Sequence, residues 1–173
     1  LRVRFSTSHP KDMTDDVVHV MKKHRNICNY IHLPVQSGSS KILQKMNRGY
    51  SKEWYLKRIK SIREIIPNCA ISTDIITGFC DESDEDFQET LDLMKKVEFN
   101  FSYMFFYSER PKTLAERKFK DNVPLEIKKL RLQRVIDLQK EHSLKNNESS
   151  VGKIMEVLVE GPSKKSALEY CGR

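Results

Sequence analysis

The chain has 173 residues, 38% of them hydrophobic and 32% charged, with 31 Lys and Arg against 24 Asp and Glu, a formal net charge of +7. That is enough apolar material for one core of ordinary size and excludes a disordered tail. No run approaches the roughly 20 apolar residues of a membrane-spanning helix, and Leu1–His9 lacks the charged head and apolar stretch of a secretory signal.

In chain order, Arg2–Ser6 is β-rich, and Thr14 or Asp15 caps a helix whose apolar positions are Val17, Val20 and Met21. Tyr30–Val35 reads as a strand closed by Gln36-Ser37-Gly38, after which Ser39 or Ser40 caps a short helix through Met46. Ser51 caps a longer helix with Tyr55, Ile59, Ile62 and Ile66 on one face, and Pro67 ends it. Ala70–Ile76 is a β-branched strand ending at Thr77-Gly78, and Ser83 opens a helix over Asp84–Val97 with Phe87, Leu91 and Met94 on one stripe. The acids of its first turn suit the positive helix end. Phe101–Phe106 is an apolar strand without alternation, as expected where both faces are covered. Pro124 then opens a long helix from Leu125 to about Lys145, with Leu125, Ile127, Leu130, Leu132, Val135, Ile136 and Leu138 expected as its buried stripe. Asn146–Gly152 is a polar connection, and Lys153–Glu160 alternates like a strand before a Gly161-Pro162 turn.

Strands separated by helices imply right-handed βαβ units, so the expected fold is α/β with a parallel sheet. Four strands without closure suggest part of a TIM-type barrel, occupying residues 1–147. A small β domain is expected from about Val151 to Arg173, and the chain reads as a fragment of something larger.

The four cysteines, Cys28, Cys69, Cys80 and Cys171, are spaced as no C-x-x-C or finger-like pattern, so free thiols and no metal ligand are expected. Nine bases against three acids fall between Arg110 and Arg134, while Asp81–Asp92 holds seven acids and no base. A basic stretch of this kind is either a solvated helix face or a surface for a polyanion. In parallel α/β sheets the working residues follow the strand ends. There stand Ser6, Thr7, Ser8 and His9; Gln36, Ser37 and Gly38; Thr77 and Gly78, with Asp74 inside the strand; and Tyr107, Ser108, Glu109 and Arg110. His9 is the candidate for moving a proton, Asp74 for holding a hydroxyl or amine, and Arg110 for clamping a carboxylate or phosphate. No nucleophile elbow, P-loop or dinucleotide fingerprint is present, so hydrolase and kinase readings lack support.

The strings Arg4-Phe5-Ser6-Thr7-Ser8-His9-Pro10, His32-Leu33-Pro34-Val35-Gln36-Ser37-Gly38-Ser39, Met46-Asn47-Arg48-Gly49-Tyr50, Ser72-Thr73-Asp74-Ile75-Ile76-Thr77-Gly78-Phe79 and Tyr107-Ser108-Glu109-Arg110-Pro111 occur in this order. Together they resemble the radical-SAM methylthiotransferases, specifically the MiaB-like tRNA enzymes. The resemblance implies the later part of a radical-SAM barrel over Leu1 to about Asn147 and the start of a TRAM RNA-binding domain from Val151. It implies an enzyme that adds a methylthio group to C2 of N6-isopentenyladenosine at tRNA position 37; a cytoplasmic location and monomeric action are the default expectations. S-adenosylmethionine serves as methyl donor and radical source, with two 4Fe-4S clusters whose ligands would lie before Leu1; the sulfur and electron donors are unassigned. Carried over by position, Gln36, Ser37 and Gly38 would meet the ribose and amino acid portion of S-adenosylmethionine. The segment Ile76–Glu82, with Gly78, would line its adenine, and Tyr107, Ser108 and Arg110 would lie near the same ligand. Arg110, Lys112, Lys128, Lys129, Arg131 and Arg134 would face RNA. Cys80 stands where many relatives have proline, and Lys112 where many have glycine, which bears on the conformation of that turn. The competing readings are methylthiolation of a ribosomal protein aspartate or of threonylcarbamoyl-adenosine tRNA, and a non-catalytic RNA-binding module.

Overall fold

Short polar side chains set three helix starts. Ser39, Ser51 and Ser83 accept from the backbone N–H of Ile42, Trp54 and Asp86, beginning α2 (Ser40–Lys45), α3 (Lys52–Ile65) and α4 (Asp84–Val97); an earlier helix, α1, spans Asp15–Lys23. At α4 the Asp86 carboxylate returns to the Ser83 N–H at 3.0 Å, closing a reciprocal cap that satisfies two otherwise orphaned donors. The structure, a computed structural model, describes residues 2–6 and 9–172.

Three strands, β1 (Tyr30–His32), β2 (Ala70–Thr77) and β3 (Phe101–Phe106), pair in parallel in chain order, with Ile31 opposite Ile71 and Asp74 opposite Tyr103. Neighbouring parallel strands that follow chain order without reversal fit a stretch of barrel wall. One sheet face and the helices form the core: Ile31, Leu33, Val35, Ile71 and Ile75 are fully buried with Tyr55, Ile62 and Met94. Successive strand residues point to opposite faces, so Tyr30, His32, Ser72, Asp74, Phe101, Tyr103 and Phe105 share the other face. There the three aromatic side chains of β3 are 48%, 51% and 54% exposed. Helices α5 (Leu114–Lys118) and α6 (Leu125–Glu148) follow, then an antiparallel pair, β4 (Val159–Pro162) and β5 (Tyr170–Gly172).

Several expectations need correction. The strand expected at Arg2–Ser6 is reduced to a single parallel bridge between Val3 and Ile27. Helix α1 buries Val18 and Met21, leaving Val20 51% exposed, because its face toward α3 is rotated from the expected one. Strand β3 is not covered on both faces: Ser102 packs toward α6 while Phe101, Tyr103 and Phe105 are open. The pair Gly161-Pro162 lies within β4 rather than in a turn, so the strand begins later than expected.

The largest reversal is in α6. Its buried residues are Lys128, Arg131, Val135, Gln139 and His142, whereas Leu125 and Leu130 are 50% and 58% exposed. The buried set still follows helical spacing, and Val135 joins the core as expected, but Lys128 and Arg131 lie against loop carbonyls and carboxylates, where a cation is better accommodated than a leucine.

Candidate functional site

The backbone beyond β1 continues along β2: Gln36 N donates to Asp74 O, and Ile76 N donates to Gln36 O, each within 2.9 Å. Both peptide groups of Gln36 are thereby fixed, and the residue is held at φ +76°, a left-handed conformation costly for a side-chain-bearing residue. Gln36 lines a cavity of about 690 Å³ together with Asp74, Ile76, Tyr107, Ser108 and Arg110. Six of the expected site residues therefore meet in one place, where β2 and β3 end. A second cavity of about 420 Å³ shares Gln36, Ile76 and Tyr107 and adds Lys45 and Arg48. Between the two, the Tyr107 hydroxyl is buried without a hydrogen-bond partner; desolvation and the neighbouring Cys80 push its pKa up to about 12. A ligand oxygen or nitrogen would satisfy it.

The other expected residues do not face these cavities. Ser37 is fully buried, its hydroxyl 3.4 Å from Thr90 Oγ1, and Gly38 N donates to the same oxygen at 2.9 Å. A Cβ at Gly38 would lie 2.4 Å from Glu89 O, so glycine is required there for the loop to seat on α4. His9 accepts from Lys11 N at 3.3 Å and packs edge-on to Tyr50, 5.4 Å between ring centroids, a capping role away from the cavity. Thr7 and Ser8 lie outside the described residues.

Gly78 sits in the loop after β2, which α6 fastens from behind. Gly78 N donates to Glu82 Oε1 at 2.7 Å, and Arg131 donates to the same oxygen at 2.9 Å and to Glu82 O at 3.0 Å. Desolvation pushes the Glu82 carboxyl above its ordinary range, against the pull of Gly78 and Arg131. Lys128 donates to both oxygens of Asp121, at 2.7 and 2.6 Å, and to Tyr107 O at 3.1 Å. Its stem closes over Gly78, where a Cβ would meet Lys128 Cγ at 2.3 Å. These contacts correct the RNA-facing set: Lys128 and Arg131, 3% and 5% exposed, spend their charge inside the protein. Arg110, Lys112, Lys129 and Arg134 remain exposed, although Lys129 pairs with Glu126 and Arg134 lies over the Phe87 ring. Lys112 stands at φ +68°, so it makes with a side chain the left-handed turn that glycine makes without strain.

Sequence reading missed a polar row on the open sheet face. Tyr30 OH lies 2.6 Å from Ser72 Oγ, Ser72 Oγ lies 2.8 Å from His32 Nδ1, and His32 Nε2 lies 3.3 Å from Asp74 Oδ1. The signal was present in the period of two that brings these residues to one face.

All four cysteines are free, and among the described residues no group of three His, Cys, Asp or Glu is placed to hold a metal ion. Among the described residues no helix is long and apolar enough to cross a membrane.

Comparison with known proteins extends the picture. The Radical SAM superfamily profile matches residues 1–94. A tRNA-2-methylthio-N(6)-dimethylallyladenosine synthase of Amoebophilus asiaticus is 59% identical over 174 residues, covering all of this chain and 36% of the relative. The protein of the same name from Christiangramia forsetii is 57% identical, with the same coverage. The chain thus spans a little over a third of the curated relatives it matches. A solved coproporphyrinogen III oxidase from Escherichia coli, a radical SAM enzyme, superposes with a TM-score of 0.62 at 23% identity over 78% of this chain and 31% of that one.

Proposed function

We propose that this chain, which belongs to the Radical SAM superfamily, is the part of a tRNA methylthiotransferase that shapes the S-adenosylmethionine and substrate cavity. The observation that carries this reading is the convergence of Gln36, Asp74, Ile76, Tyr107, Ser108 and Arg110 on one cavity at the strand ends.

Superfamily membership implies S-adenosylmethionine and an iron–sulfur cluster. The residues present fit the first: a partly apolar cleft, an unsatisfied Tyr107 hydroxyl, an exposed Arg110 for a carboxylate and a Gln36 amide fixed by its backbone. When bound, S-adenosylmethionine supplies the methyl group and the radical. This chain's residues bind it, orient it and shield it. The cysteines do not fit a cluster, so its ligands are assigned outside this chain. Ile76 and the Thr77–Glu82 loop serve as the adenine wall, and the α6 cations hold that loop from behind. Arg110, Lys112, Lys129 and Arg134, together with the β4–β5 pair as the start of a TRAM-type module over residues 151–173, form the face for tRNA. The substrate is N6-isopentenyladenosine at position 37, modified at C2, in a monomeric cytoplasmic enzyme.

Deleting the gene tests the reading through nucleoside mass spectrometry of total tRNA. The 2-methylthio nucleoside should disappear while its isopentenyl precursor accumulates. Persistence of the methylthio nucleoside refutes it and favours the ribosomal-protein or threonylcarbamoyl-adenosine substrate.

A further inference from the structure

The row Tyr30, Ser72, His32, Asp74 admits a run of polar hydrogens that ends on the carboxylate. If Tyr30 donates to Ser72 Oγ, Ser72 donates to His32 Nδ1, which leaves the imidazole its Nε2–H to present to Asp74 Oδ1. The imidazole is also held by an edge-to-face contact with the Tyr103 ring, 5.8 Å between centroids, and its side chain is only 15% exposed. One carboxylate oxygen of Asp74 therefore lies within ion-pair range of His32, 3.3 Å from Nε2. The other, Oδ2, has no partner among the described residues, and Asp74 lines the main cavity. In register with Asp74 and Ile76 stand Tyr103 and Phe105, whose rings are open on the same face.

An anionic acceptor beside exposed aromatic rings suits a flat heterocycle that carries an N–H donor. We propose that Asp74 accepts a hydrogen bond from the exocyclic amine of a purine stacked against Tyr103 and Phe105. His32, aimed by Ser72 and Tyr30, is the positioning residue that keeps Asp74 turned toward the base. The proposal rests on the tRNA reading only for where the base comes from: the target adenosine or the adenine of the cofactor. It explains why a histidine, a serine and a tyrosine occupy a sheet face that otherwise calls for apolar residues.

The test uses equilibrium dialysis on the intact protein that carries this chain, with tritiated adenosine and tritiated inosine, whose purine has a carbonyl in place of the amine. The wild type should bind adenosine about tenfold more tightly than inosine, the discrimination expected when a site built for an N–H meets an analogue lacking it. Asp74→Asn, whose amide can donate to the inosine carbonyl as well as accept, should narrow the preference by improving inosine binding, an outcome that general loosening of the fold does not produce. His32→Gln, which keeps a donor near Nε2, should retain most of the preference, whereas His32→Phe should abolish it with the melting temperature unchanged. Competition by S-adenosylhomocysteine assigns the site to the cofactor's base; competition by N6-isopentenyladenosine alone assigns it to the substrate's. Equal binding of the two nucleosides by the wild type, an unaltered preference in Asp74→Asn, or no adenosine binding at about 10 mM overturns the proposal. Its failure is separable from failure of the tRNA reading. Loss of the methylthio nucleoside on gene deletion with no purine preference refutes this proposal alone, and an intact preference with persistent methylthio nucleoside refutes the tRNA reading alone.

Discussion

Replacing Arg131 by Met removes the cation from a carboxylate that has almost nowhere else to turn. The Glu82 side chain is 1% and the Arg131 side chain 7% exposed, and without the guanidinium Glu82 Oε1 keeps only the Gly78 N–H. Breaking a buried pair from one side costs about 3–5 kcal/mol, because an uncompensated charge stays behind. For a chain of this size that lowers the melting temperature by roughly 2–4 °C per kcal/mol. The pH dependence has a definite sign. Burial already raises the Glu82 pKa in the folded state, and losing Arg131 raises it further. An acid with a raised folded pKa gains stability as pH falls through that value, so the Arg131→Met defect should be largest at pH 8 and shrink towards pH 5. Adding Glu82→Gln should recover much of the loss at pH 8, since the two sites interact directly. Urea unfolding followed by circular dichroism gives all four corners of this cycle at both pH values. A cost below about 1 kcal/mol, or one that does not change with pH, refutes the claim that Arg131 is an internal counter-charge.

Other outcomes follow from the same geometry. Asp86 is pushed up by desolvation but held at about 2 by the Lys41 ammonium, the Ser83 N–H and the Ser39 and Ser83 hydroxyls. Its contribution, about 2 kcal/mol, should be present above pH 4, fade as pH falls towards 2, and vanish from acid-unfolding curves in Asp86→Asn. Gly78→Ala should cost about 2 kcal/mol or more in urea unfolding, because a methyl group there meets Lys128 at a positive φ. Lys112→Gly should raise stability by up to about 1 kcal/mol in the same assay by relieving the left-handed turn at φ +68°. In filter binding to tRNA, Lys112→Ala and Lys129→Ala should each flatten the salt dependence by about one unit, whereas Lys128→Met should leave that slope unchanged. A slope lowered by Lys128→Met would return that side chain to the RNA surface.

What the sequence disclosed and what it hid both have physical reasons. The caps at Ser39, Ser51 and Ser83 and the span Asp84–Val97 were legible because capping chemistry is local. Gln36, Asp74 and Arg110 were legible as neighbours at the strand ends because each stands in or just beyond a β-branched or apolar run. Apart from Val135, the inner face of α6 was not legible, since hydrophobicity does not mark burial there. Two of its cations face loop carboxylates, and part of the matching signal lay elsewhere: the base-free acidic run Asp81–Asp92 needed cations, and Arg131 supplies one to Glu82 and Asp84, while Lys128 pairs with Asp121. The relay through His32 and Ser72 was hidden because its members, 40 residues apart in the sequence, become neighbours only through strand register.

The central claim is that the residues gathered at the strand ends carry tRNA methylthiolation, and complementation of the gene deletion tests it most directly. Nucleoside mass spectrometry should show the 2-methylthio product restored by the wild-type gene and absent with stably expressed Gln36→Ala or Arg110→Ala. Full restoration by both variants would contradict the assignment of this cavity to the reaction.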